Sequence, residues 1–441
     1  MVFTGGQTGD AVSSIASDVI APAATPTLIA HTTLLPSNHP YSQADLLSLV
    51  PTNGALAWVR DGEGLIGWGE SARLVVRGRE RFSRAQRWWT DVIRHATIND
   101  EVQIPGSGIV SFASFAFEPG RSVVVIPHIV VGRSGEKTWV TAITDANEPV
   151  ENPLMLLTPR EDFAPMGEIT WEEGTQPVAK WQRAISEVVE KINRGEVDKV
   201  VLARDVVARS TEPIDIRNLL TRLSTSYSEC WAFAVDGLVG ATPEMLVKRR
   251  GDRVTSRVLA GTVRRGEDKN QDANLAEALL ASDKDQEEHE YAVSSVAQAL
   301  ANHCTNLDVP EEPRLLRLPN VQHLATDITG LLADEIPVLT LAASLHPTAA
   351  VCGTPTERAA NIIRAVEGME RDRYAGPVGW MDAKGDGEFG IALRCGEIDS
   401  DDPRKIRLFA GCGIVAGSDP TSELAESAAK LKPMRHALGC D

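Results

Sequence analysis

The sequence predicts an α+β protein built largely on antiparallel sheet, and three observations carry that expectation. The first third reads as strands joined by tight turns, helical patterns stand in the second half, and about the last hundred residues again alternate short strands with turns. At 441 residues the chain has material for one large domain or two interlocked ones, and no long flexible linker divides it. Its 43% hydrophobic and 24% charged content is that of a globular protein with a sizeable core.

In chain order, residues 1–25 are small, polar and rich in Pro and Ala, which predicts a loose arm without chemistry. Ala55 to Arg60, the turn Asp61-Gly62-Glu63-Gly64 and Leu65 to Trp68 predict a hairpin. A basic helix follows from Arg79 to His95, with Trp88 and Trp89 as packing anchors. Strands are expected over Ile109 to Phe117 and Ser122 to Val131, the second turning at Arg133-Ser134-Gly135 into Thr138 to Thr144. The Pro-, Glu- and Asp-rich stretch from Glu148 to Gln176 marks a boundary, which leaves 26–165 as an N-terminal half and 166–441 as a second half.

That second half opens with Val178, Trp181, Ala184, Ile185, Val188, Val189 and Ile192 at helical spacing, leading into a strand from Val197 to Arg204. Further strands are read over Trp231 to Val239 and Arg253 to Val263, then a long helix from Asn274 to Asn302. Val378 to Met381, the turn Lys384-Gly385-Asp386-Gly387, Phe389 to Cys395 and Ile406 to Phe409 continue the sheet. The chain then reads as a glycine turn, Ala410 to Val415, able to bring backbone N–H groups close to an anion. Asp419-Pro420 reads as N-cap and first residue of a last helix.

Charge narrows the partners. A net charge of −17 excludes nucleic acid and anionic membranes as general partners, and an anionic small substrate would need a locally basic pocket. Cysteines 230, 304, 352, 395, 412 and 440 show neither CxxC pairing nor zinc spacing, which predicts reduced thiols in a cytoplasmic enzyme. Prolines at 22 and 26 interrupt the N-terminal apolar residues, so neither a signal peptide nor a membrane span is expected.

Several residues invite two readings each. Lys199 starts a strand that is apolar on both faces; either its stem packs while the ammonium reaches water, or it is there for chemistry. Glu244 lies in a turn directly after a strand, as a surface residue or as a catalytic acid. Arg394, in an apolar strand, needs either a buried carboxylate of the protein or one of a substrate. His323 is either a satisfied core histidine or part of a site. Glu423, Glu426 and Lys430 share one helix face, and so do Asp285 and Glu288. Each face would be solvated on its own; facing each other, their carboxylates would need a cation, and oxygen ligands favour magnesium.

The order of these residues along the chain resembles a known family. Lys199-Val-Val-Leu-Ala-Arg204, Gly240-Ala-Thr-Pro-Glu244, Leu259-Ala-Gly-Thr262, Glu288-His289 and Gln322-His323-Leu324 are similar to the motif series of the chorismate-utilising enzymes. Leu345 to Gly353, Tyr374 to Trp380, Leu393-Arg394-Cys395 and Ala410 to Val415 continue it, so that the likeness is dense from about residue 180 to 432. Within the family the chain is most similar to the isochorismate synthases. The resemblance implies two large, mostly antiparallel sheets packed together, with helices outside and the active site between them. It makes 26–165 the N-terminal half of the α/β domain and 166–441 the chorismate-binding catalytic half.

The resemblance also implies roles. Lys199 matches the general base that activates water, and Glu244 the general acid that protonates the departing hydroxyl. Glu288 and Glu426 match ligands of Mg²⁺, with Asp285 and Glu423 as outer partners. Tyr374, Arg394 and the backbone of Gly411 and Gly413 match the group that binds the enolpyruvyl carboxylate. Thr262, His323, Ala350, Val351, Leu393 and Lys430 complete the substrate site.

Departures within the family choose the chemistry. Ala260 stands where aminodeoxychorismate synthases carry a lysine nucleophile. Lys199 selects water over the ammonia used by anthranilate synthases, so no amidotransferase subunit is expected. Ala350 stands where pyruvate-eliminating relatives usually carry threonine. The expectation is therefore an isochorismate synthase, monomeric or homodimeric, feeding menaquinone or siderophore biosynthesis. The alternatives are a salicylate synthase or a catalytically silent chorismate-binding subunit.

Overall fold

The structure, a computed structural model, describes residues 25–149, 152–158 and 162–440. The arm expected over 1–25 lies outside them but for its last residue. Alternation explains the framework: in Leu56–Arg60, Leu56 and Trp58 face one apolar cluster while Ala57 and Val59 face another. A sheet buried on both faces has no need of polar positions, which is why its strands are apolar at successive residues.

Among the described residues, two sheets of 13 and 10 strands form. The first runs Ile169–Glu173, Lys199–Ser210, Lys405–Ile414, Cys395–Ile398, Leu238–Thr242 and Trp231–Val235. It continues through Leu56–Arg60, Glu63–Trp68, Ile129–Ser134, Lys137–Asp145, Leu28–Leu34 and Thr97–Asp100, with Gly353–Thr354 beside Lys199–Ser210. The second runs Cys304–Asp308, Val321–Leu332, Arg253–Arg264, Met245–Arg250, Gly387–Ile391, Pro377–Asp382, Val110–Ser114, Ser122–Ile126 and Ala72–Val76. Arg314–Arg317 pairs with Val321–Leu332. Leu28–Leu34 and Thr97–Asp100 pair in parallel; the other described pairings are antiparallel, and each sheet takes strands from both sides of residue 165. Trp58 of the first sheet donates its indole N–H to Glu388 of the second at 2.8 Å, across the space between them.

Helices pack on both sheets. Val178–Asn193, which buries Trp181, Ala184, Ile185 and Val188, and Pro420–Ala437 lie on the first; Asp283–Ala301 and Val338–Leu345 lie on the second. The helix Arg81–His95 buries Trp89 and half-buries Trp88. Asp419 caps the last helix, accepting from the Ser422 N–H at 2.8 Å, with Pro420 at its start.

Five expected elements come out differently. The run Ser122 to Val131 is broken at Pro127, whose missing N–H ends one strand, and its halves belong to different sheets. Trp231 to Val239 is a hairpin, because Asp236 and Gly237 at φ 51° and 81° form a two-residue turn. The long helix is two, Lys269–Leu280 and Asp283–Ala301, with Ser282 capping the second. Phe389 to Cys395 splits between Gly387–Ile391 and Cys395–Ile398. The expected glycine turn is mostly the end of the strand Lys405–Ile414, paired with Lys199–Ser210 so that Val201 faces Gly413 and Ala203 faces Gly411.

Candidate active site

The site lies where the chain passes between sheets. Leu238–Thr242 ends in the first sheet, Pro243 and Glu244 cross, and Met245–Arg250 begins in the second; Gly387–Ile391 returns to Cys395–Ile398 through Arg394. Irregular backbone at these crossings turns polar side chains into an apolar interior. The Glu244 carbonyl accepts from Ile391 N–H and the Arg394 carbonyl from Ala241 N–H, both at 3.2 Å, so the two crossings brace each other. Arg394 is held at φ 49°, a left-handed conformation uncommon outside glycine.

Glu244 is 4% exposed. Burial pushes its carboxyl up to about 8, against the opposing pull of Lys199, Arg394 and Lys430, so the acid keeps its proton at neutral pH. Arg394 is also buried, and burial lowers its proton affinity. Its Nε has no partner, and among the described residues no carboxylate pairs with it. A buried guanidinium without a counter-ion is poised to take an anion.

Lys199 is fully buried, so its ammonium does not reach water. Its Nζ lies 2.9 Å from Glu288 Oε1, and the opposing charge holds the Glu288 carboxyl low although burial alone would raise it. Lys430 Nζ lies 2.6 Å from Glu426 Oε1 and donates to the Gly411 carbonyl at 3.0 Å. The Asp283–Ala301 and Pro420–Ala437 helices thus bring Asp285 within electrostatic reach of Glu288 and Glu426, and Glu423 within reach of Glu426. Among the described residues only the Glu423 and Glu426 oxygens, with Cys412 Sγ, lie within 4.8 Å of one another. Burial raises Asp285, with Glu288 and Glu426 adding to it; burial and Glu426 raise Glu423. Neighbouring carboxylates such as Glu423 and Glu426 fit a divalent cation, and their oxygens suit Mg²⁺, which would compete with Lys430 for Glu426. The Cys412 Sγ lies within 4.8 Å of the Glu423 and Glu426 oxygens, but burial raises the thiol well above its usual range and a soft donor does not suit magnesium.

Other expected residues line the same pocket, which holds roughly 690 Å³ of atom-free space, part of it open to solvent. Tyr374 stacks on Phe409 at 5.0 Å between ring centres, with Gly411 against its hydroxyl. Thr262, His323, Ala350, Val351 and Leu393 form further walls. Glu288 and Lys430 also line the pocket, whereas Lys199, Asp285, Glu423 and Glu426 do not. Gly411 and Gly413 are not at positive φ. A Cβ on Gly413 would run into Glu288 Oε1 and Lys199 Cε, so glycine there makes room for the ion pair.

Sequence reasoning missed Arg371 and Glu367, a buried pair at 2.6 Å. Arg371 lines the pocket and donates to the carbonyls of Val351 and Val201 at 2.8 and 2.7 Å; Glu367 accepts from Ala203 N–H at 2.7 Å. They lock the wall behind Val201 and Val351. Their i,i+4 spacing was the available signal, but Gly368 breaks it across a helix end, where it resembles a surface pair.

Lys199, Arg371 and Lys430 are each paired with a carboxylate, so among the described residues it is Arg394 that offers this acidic protein's pocket a buried positive charge without a counter-ion. A family model for chorismate binding enzymes matches residues 56–439. The isochorismate synthase MenF of Bacillus subtilis is 40% identical over 393 residues, 82% of this chain and 81% of that protein. The isochorismate synthase DhbC of the same organism is 40% identical over 273 residues, 59% of this chain and 68% of that one. The solved structure of MenF, the menaquinone-specific isochorismate synthase from Escherichia coli, aligns with a TM-score of 0.78 at 26% identity, over 94% of this chain and 95% of that one. Paired sheets, a buried arginine without a counter-ion at their crossings and a match along most of the sequence make this chain a member of the chorismate-binding enzyme family.

Proposed function

We infer that the protein interconverts chorismate and isochorismate. The observation that carries this reading is Glu244, a buried carboxylic acid that stays protonated at neutral pH and faces a pocket supplied with unpaired positive charge. In this reading Lys199 is the general base: as the free amine, released from its pairing with Glu288, it would take a proton from a water admitted beside it as the oxygen bonds to C2 of chorismate. Glu244 gives its proton to the C4 hydroxyl, which leaves as water while the double bonds shift. Arg394 and Tyr374, with the backbone at Gly411 and Gly413, hold the enolpyruvyl carboxylate, the arginine by its planar fork. Thr262, His323, Ala350, Val351, Leu393 and Lys430 enclose the rest.

Mg²⁺ held by Glu288 and Glu426, with Asp285 and Glu423 as outer partners, would supply the positive charge that neutralises and fixes the ring carboxylate. The product would feed menaquinone or siderophore biosynthesis, the roles carried by relatives of this type. A cytoplasmic monomer or homodimer working without an amidotransferase completes the reading. Six free cysteines and no helix long and apolar enough to cross a membrane, both among the described residues, support the location.

Incubating the protein with chorismate and Mg²⁺ and separating the products tests the reading. Isochorismate in equilibrium with chorismate is expected. Salicylate with stoichiometric pyruvate would reassign the protein as a salicylate synthase, and ligand binding without turnover would make it a silent subunit.

A further inference from the structure

One chain of hydrogen bonds in the pocket has a direction that its partners impose. Arg394 NH2 lies 3.2 Å from His323 Nε2, and a guanidinium nitrogen only donates, so Nε2 must accept and carry no proton. The ring is 5% exposed, and burial, with the Arg394 and Lys430 charges, drives its proton affinity well below the usual range. A neutral ring carries one proton, which therefore sits on Nδ1. Nδ1 in turn lies 3.0 Å from Thr262 Oγ1.

The backbone aims this pair. At Ala260 to Thr262 the strand carries a bulge with Gly261 at φ 72°, and beyond it Thr262 stands directly opposite His323. With Nδ1–H donating to it, the Thr262 hydroxyl uses a lone pair on the ring and cannot turn its own proton there. That proton is left for the pocket, which Thr262 lines.

We propose that His323 is a positioning residue: Arg394 fixes its Nδ1–H tautomer, which sets the Thr262 hydroxyl as a hydrogen-bond donor to an oxygen of the bound substrate. The proposal rests on the chorismate reading above and adds a direction to the hydrogen bonds that recognise it. It assigns His323 no proton transfer; the ring holds its proton through the cycle.

Two measurements test it. In protein labelled with ¹⁵N-histidine, the His323 signal, assigned by its loss in His323→Asn, should show a bare Nε2 and a protonated Nδ1 at neutral pH. A proton on Nε2, or on both nitrogens, overturns the proposal. In kinetics, Thr262→Val should raise KM for chorismate about tenfold or more, the effect of losing one hydrogen bond to a charged or strongly polar oxygen. Thr262→Ser, which keeps the donor, should restore it. His323→Asn, with an N–H near the place of Nδ1, should retain more kcat/KM than His323→Gln, whose amide lies toward Nε2. An unchanged KM in Thr262→Val, or equal losses in the two His323 variants with unaltered melting, overturns the proposal while wild-type turnover stands. Failure of the chorismate reading itself would appear as no isochorismate from the unmodified protein.

Discussion

Glu244 joins burial to chemistry in a single residue. Its folded proton affinity sits at about 8, against about 4.3 for a glutamate in an unfolded chain. A carboxyl raised in this way contributes stability that is fully present below about 4.3 and is lost as pH rises through about 8. A proton donor with that affinity is competent through neutral pH, so kcat/KM should fall on the alkaline side with a midpoint near 8. Glu244→Gln keeps the shape and removes the ionisation. Turnover should drop about a hundredfold or more, while the melting temperature loses less than wild type between pH 7 and 9. An alkaline limb that persists unchanged in residual Glu244→Gln activity would assign the titration to another group. Glu244 and Arg394 were each ambiguous in the sequence, because burial depends on which strands meet around a turn. Only their order along the chain, shared with a family, separated Glu244 from a surface residue and Arg394 from one half of a buried salt bridge.

At the scale of elements, the strand Lys405–Ile414 decides how closely Lys199 and Glu288 approach the pocket. Gly413 lies opposite Val201 and against the Lys199–Glu288 ion pair, where a Cβ finds no space. Gly413→Ala should displace the Glu288 carboxylate, lowering turnover at least tenfold and weakening the response to Mg²⁺. Gly417→Ala, where an added Cβ meets nothing within 4 Å, should leave both unchanged. If the two alanines behave alike, room for the ion pair is not what Gly413 provides. Glycine in this segment suggested a turn; what it supplies is clearance, which period and propensity do not encode. The hairpin Leu56–Trp68, the helix Val178–Asn193 and the cap at Asp419 were legible because their signals are local. The breaks at Pro127, Asp236 and Ser282 carried the right residues, but long apolar or helical patterns around them outweighed single punctuating positions.

Across the whole molecule, the assembly of the sheets from distant segments decides which carboxylates could share a cation. Asp285 and Glu288 stand on one helix, and Glu423 and Glu426 on another more than a hundred residues later, with Asp285 in electrostatic reach of Glu426. Neither sequence spacing nor the net charge of −17 shows that these two faces meet. Because an unfolded chain cannot gather four carboxylates, Mg²⁺ should bind the folded state and stabilise it by RT ln(1 + [Mg²⁺]/Kd), about 2.7 kcal/mol at a hundredfold excess over Kd. The melting temperature should then rise with the logarithm of Mg²⁺ above that Kd, by a few degrees over the accessible range. Sodium at matched ionic strength should not reproduce the rise, since screening of a diffuse negative field does not discriminate by ligand geometry. Glu426→Gln removes one of the proposed ligands and leaves Lys430 without its carboxylate, so the slope should flatten and chorismate binding weaken together. A full Mg²⁺ response in that variant would mean that the two helix faces are solvated independently and that the cation acts elsewhere.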